Sequence, residues 1–185
     1  MSDIKTLVIR VDSLAGPAAA SALSEGAVFR PFEDGDPPAA HVAGGIPRAG
    51  GAADALARLA EGAPIASLAL SGGGVQEGLG LVLEESPLRT VIAILAPGAL
   101  VFHGHGMARG VEGTGPASFL DALPTLAMVG EFLLAPGVEG RVLFQALKNP
   151  SYKQGQVGRL KAALARLERV LRRDSQEPWD KHDCA

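Results

Sequence analysis

Three short runs, residues 6–11 (TLVIRV), 65–70 (IASLAL) and 90–95 (TVIAIL), are apolar at nearly every position rather than at every second one. A strand with that pattern is covered on both faces, which happens in parallel sheets whose connections are helices. The segments between the runs fit this. Pro17 suits the first position of a helix over 18–24, and Gly26 stops it. Residues 27–29 read as a second short strand, and 52–61 as an alanine-rich helix ended by Gly62 and Pro64. A helix is expected over 75–85, a short strand over 100–102 after Pro97-Gly98, and a helix over 118–129 that tolerates Pro124 near its start. Alternating strands and helices define an α/β fold: three layers, α/β/α, around a mostly parallel sheet. Residues 30–51 are rich in proline and glycine and read as a long loop.

The chain has 185 residues, of which 47% are hydrophobic but only 4% aromatic, so alanine, valine and leucine must fill the core. High apolar content and a net charge of −3 disfavour disorder, and the same charge disfavours a strongly basic nucleic-acid-binding surface. The single cysteine, Cys184, excludes an internal disulfide framework and a cysteine-based zinc cluster. The start, Met-Ser-Asp-Ile-Lys, has no secretory pattern, and no run of 18 apolar residues escapes interruption by Gly, Pro or charge. A soluble, cytoplasmic protein without a membrane span is expected.

Residues 1–150 form the expected α/β domain, 151–174 a basic amphipathic helix, and 175–185 a flexible tail. Val157, Leu160, Leu164, Leu167 and Leu171 follow one another at alternating spacings of three and four, the seam of a short coiled coil. Residues 153–174 carry a net +5 and the remainder of the chain −8. Three uses of such a helix stay open: packing on its own acidic domain, pairing with a second copy or a protein partner, or resting on an anionic lipid or nucleic-acid surface.

Candidate chemistry is sparse. His103 and His105, one residue apart, would point the same way on a strand and, with Asp12 or His41, form a candidate site for zinc or another divalent cation. Ser71-Gly72-Gly73-Gly74 follows a strand and opens a helix, where free amides bind anions; no P-loop lysine accompanies it. Glu33, Asp34 and Asp36 crowd one loop, and His182, Asp183 and Cys184 crowd the terminus, without the spacing of a calcium loop or a zinc motif.

The stretch over 100–144 contains Asp121-Ala122-Leu123-Pro124-Thr125-Leu126 and then Val138-Glu139-Gly140-Arg141-Val142-Leu143. In order and spacing it resembles the C-terminal end of the alkaline phosphatase superfamily, the group with sulfatases, phosphodiesterases and phosphonate hydrolases. Residues 7–14 (LVIRVDSL) resemble that family's opening strand, which makes Asp12 the counterpart of its first metal-binding aspartate. The resemblance covers about a third of the chain. It implies an α/β/α scaffold, a hydroxyl or modified cysteine as nucleophile after the first strand, and an Asp-His pair after a central strand. Residues 30–51 hold no Ser, Thr or Cys, and 91–98 hold no Asp or His. One carboxylate does not hold a catalytic cation, and the family mechanism needs both nucleophile and metals. The expectation is therefore a shortened, non-catalytic member-like domain used for self-association or partner binding. The alternatives are a hydrolase of phosphate or sulfate esters with a reduced site of Asp12, His103 and His105, and a small-anion binder at residues 71–74.

Overall fold

The computed structural model describes residues 4–34, 42, 45–149 and 151–176. The chain divides into two compact units, Met1–Asn149 and Pro150–Ala185. The first unit is α/β. Its strands are β1 (Lys5–Val11), β2 (Ala27–Phe29), β3 (Phe32–Glu33), β4 (Ile65–Leu70), β5 (Thr90–Ala96), β6 (Ala99–Gly104), β7 (Val111–Gly113) and β8 (Ala117–Ser118). Its helices are α1 (Pro17–Glu25), α2 (Ala52–Ala60), α3 (Gly74–Glu85) and α4 (Phe119–Gly130).

Six strands form one sheet in the order β4-β1-β5-β6-β2-β7. β1 runs parallel to β4 (Thr6 beside Ile65) and to β5 (Thr6 beside Val91), and β2 runs parallel to β7. β6 alone is reversed, antiparallel to both β5 and β2. The reversal follows from the Pro97-Gly98 connection. Two residues suffice for an antiparallel hairpin and for nothing else, and Gly98 takes φ +73° at its tip. The sheet is thus mostly parallel but mixed.

Successive residues along the central strands face opposite layers. Leu7, Ile9 and Val11 of β1 join Ile92 and Ile94 of β5 in one cluster with Ala22 of α1, Ala55 and Leu59 of α2, and Leu79 of α3. Val8, Val91, Ala93 and Leu95 fall in the other, with Leu123, Leu126 and Val129 of α4. All seven residues of β5 are buried, which explains its unbroken apolar run. Alanines 19, 22, 27 and 55 are fully buried, so small side chains bring helices close to the sheet. Two of the few aromatics, Phe29 and Phe102, meet edge to face in the interior at 6.0 Å.

Described residues within the region expected as a long loop pair with other parts of the chain. β3 pairs with β8, and Arg48 and Val42 bridge to Ser67 and Leu134. His41 and Asp36 lie outside the described residues. In α4, Pro124 cannot donate to the carbonyl of Leu120, and the chain at Gly140 packs directly on that carbonyl. The second unit contains α5 (Ser151–Gln176), 26 residues long. Val157, Leu160, Leu164 and Leu167 are all exposed on it, and Leu171 lies in the same helix. The positions 177–185, including His182, Asp183 and Cys184, lie outside the described residues. Among the described residues, no helix is long and apolar enough to cross a membrane.

Candidate functional site

The carboxyl edge of the parallel strands is where an α/β sheet presents ligands to its loops. Asp12 sits there, one residue beyond β1. Its Oδ2 accepts the amide N–H of Gly72 at 2.7 Å. The turn Ser71-Gly72-Gly73-Gly74 does open α3, as expected, with Gly72 at φ +57°. Its Gly72 amide, however, is already engaged by a carboxylate of the chain itself. The neighbouring helix start is treated the same way: the amide of Ala18 in α1 donates to Oε1 of Gln76 at 3.0 Å. Beside them, Arg10 and Asp34 form an ion pair at 3.4 Å. After β5 the chain turns back through Pro97-Gly98 and brings no metal ligand or nucleophile to this edge.

His103 and His105 are brought together, but not with Asp12. On β6, His103 pairs with Ile92 and Gly104 with Val91, at the level of the strand start that aligns Lys5 with Thr90. Asp12 lies beyond the other end of β1, past the pairing of Arg10 with Leu95. Five or more residues at ~3.3 Å each separate the two levels, whereas zinc bonds are ~2 Å long. The expected metal set of Asp12, His103 and His105 is therefore incorrect. Among the described residues, no group of three His, Cys, Asp or Glu side chains is placed to hold a metal ion. The cause is the hairpin: reversing β6 carries its last residues to the amino edge. β6 also ends at Gly104, so His105 stands in the following turn, its amide held by the carbonyl of Thr90 at 2.8 Å.

The histidines line a cleft of about 620 Å³ at that amino edge. Its lining is apolar at Leu83 of α3 and at Pro87 and Leu88 beyond that helix, and polar or charged at His105, Arg109 and Lys148. Thr90, Ile92 and His103 also line it. Sequence reasoning missed Thr90, Arg109 and Lys148. Arg109 follows the histidines closely enough to have been noticed, whereas Lys148 reaches the cleft only through the antiparallel bridge of Met107 with Leu147.

His103 is half-buried. Its Nε2 lies 4.0 Å from Oε2 of Glu25, and its Nδ1 is buried without a hydrogen-bond partner. Burial holds its pKa below the ordinary histidine value; Glu25 opposes that shift and Arg109 adds to it. The folded state therefore resists protonation more than the unfolded chain does, so stability is lost as pH falls below the unfolded value of 6.5. His103→Gln should flatten the dependence of urea midpoint on pH between ~6.5 and ~5.5, above the range where carboxylates titrate. An unchanged slope in the variant would show that His103 is not responsible.

Compared with protein families, curated proteins and solved structures, the chain matches none.

Proposed function

We propose that this chain is a non-catalytic α/β domain of alkaline-phosphatase type that self-associates through α5. The observation that carries the reading is the exposed apolar seam. Val157, Leu160, Leu164 and Leu167 are 43–68% exposed on a 26-residue helix with coiled-coil spacing. Four large apolar side chains in one row are a contact surface rather than scattered surface hydrophobics.

A second copy of the helix fits the charges. With Val157 at heptad position a, Lys161 and Glu168 both fall at e. In an antiparallel pair that stacks Leu164 on Leu167 of the other copy, each Lys161 lies opposite a Glu168. Two opposite-charge pairs then flank the seam and fix its register. The carboxyl edge supports the absence of family chemistry: Asp12 accepts the Gly72 amide, and residues 30–51 hold no hydroxyl nucleophile.

The non-catalytic half of the reading is tested with p-nitrophenyl phosphate, bis-p-nitrophenyl phosphate and p-nitrophenyl sulfate, each with added Zn²⁺ or Mn²⁺. Release of nitrophenol should equal the protein-free blank. Metal-dependent turnover that disappears in Asp12→Ala would overturn it in favour of a reduced-site hydrolase.

A further inference from the structure

We infer that the cleft at the amino edge of the sheet binds a small organic dianion, with its charged end on Arg109 and Lys148 and its apolar body against Leu83 and Leu88. The residues that line the cleft all belong to the first unit, and none lies at the carboxyl edge. Its volume of about 620 Å³ lies within the usual range for small-molecule sites.

Arg109 and Lys148 both line the cleft, and no carboxylate does. Among the described residues, neither makes an ion pair. Glu25, which is not part of the lining, faces His103, its Oε2 4.0 Å from Nε2. Two exposed cations without an ion-pair partner favour a ligand with two negative charges over one with a single charge.

Thr90 is 3% exposed, and its hydroxyl has no partner in the chain; Nδ1 of His103 is in the same condition. Buried polar atoms are nearly always satisfied; two orphaned ones on residues that line one cleft leave hydrogen-bonding capacity beneath its surface, as Thr6 Oγ1 and Gln76 Nε2 do elsewhere. Burial disfavours the charged form of His103, so it adds no third cation beside Arg109 and Lys148. The apolar wall accounts for Leu88, a large hydrophobic residue left 100% exposed at the rim. Dianions of this description are phosphate monoesters or dicarboxylates, and their shared chemistry is two negative charges on a compact head beside a hydrophobic body.

The test is isothermal titration calorimetry on the full chain with phenyl phosphate, phthalate, benzoate and inorganic phosphate. Phenyl phosphate or phthalate should bind, and whichever binds more tightly identifies the head group. Benzoate, with one charge, and inorganic phosphate, with no apolar body, should each bind at least tenfold more weakly. Arg109→Gln/Lys148→Gln alters only exposed side chains and should weaken binding at least tenfold while leaving the urea midpoint unchanged. No binding of either dianion at 10 mM would overturn the inference, as would equal affinity in the double variant. Inorganic phosphate binding as tightly as phenyl phosphate would refute the role of the apolar wall.

Discussion

Asp121→Ala should destabilise the α/β unit by ~2–5 kcal/mol, from two orphaned backbone donors, one of them the amide its carboxylate caps at the start of α4. Asp121 is only 5% exposed, and its carboxylate joins three pieces of chain. Oδ2 accepts the amide of Ser118 at 3.0 Å, the reciprocal half of the capping box that starts α4. Oδ1 accepts the amide of Arg141 at 2.9 Å, and Nε of Arg141 lies 3.5 Å from Oδ2. Four residues on, Thr125 Oγ1 donates to the carbonyl of Asp121 at 2.7 Å and accepts the amide of Leu143 at 2.9 Å. Alanine removes every carboxylate bond at once, while Asp121→Asn keeps one acceptor and should lose less. The check is the urea midpoint at constant m-value. A change under ~0.5 kcal/mol, the size of an ordinary surface substitution, would contradict the assignment.

Those contacts give a physical meaning to the motif behind the family resemblance. Asp121 and Thr125 latch the segment 141–143 to α4, and Pro124 frees the Leu120 carbonyl against which Gly140 packs. A Cβ at Gly140 would lie 1.9 Å from that carbonyl oxygen. The motif residues therefore hold the fold together and need no catalytic duty to explain them.

Gly104→Ala should lower the melting temperature by at least ~5 °C, since ~2–4 °C corresponds to 1 kcal/mol in a chain this long. Gly104 has φ +93°, where a side chain is strained by ~1–3 kcal/mol. The added Cβ would also meet the Thr90 carbonyl oxygen at 2.3 Å. That oxygen holds the His105 amide, so relief of the clash must either break this bond or shift the end of β6. A melting temperature within 1 °C of the parent would show that the turn adapts freely.

The buried strands were legible because burial on both faces writes itself as an uninterrupted apolar run. Residues 27–29 and 65–70 match β2 and β4, and β1 and β5 differ from expectation by one residue at an end. β7 and β8 were not legible. Val111–Gly113 and Ala117–Ser118 are too short to show a period, and their partners, β2 and β3, are distant in sequence. β6 runs two residues past its apolar core because pairing with β5 continues to Val91 beside Gly104. The site was half legible for the same reason. The proximity of His103 and His105 is local, but which edge of the sheet they reach depends on the direction of β6. The Pro97-Gly98 turn was visible in sequence; its consequence, placing the histidines across the sheet from Asp12, needed the register.

Sedimentation equilibrium of the intact chain over a hundredfold concentration range, beside Leu160→Gln/Leu164→Gln, tests self-association most directly. Both leucines are exposed, at 68% and 58%, so the substitutions leave the α/β core untouched. The parent mass should rise with concentration from 18.9 kDa toward twice that value, and the variant should stay at the monomer mass throughout. A parent that remains monomeric at every concentration, or a variant that associates as well as the parent, would contradict the role given to α5.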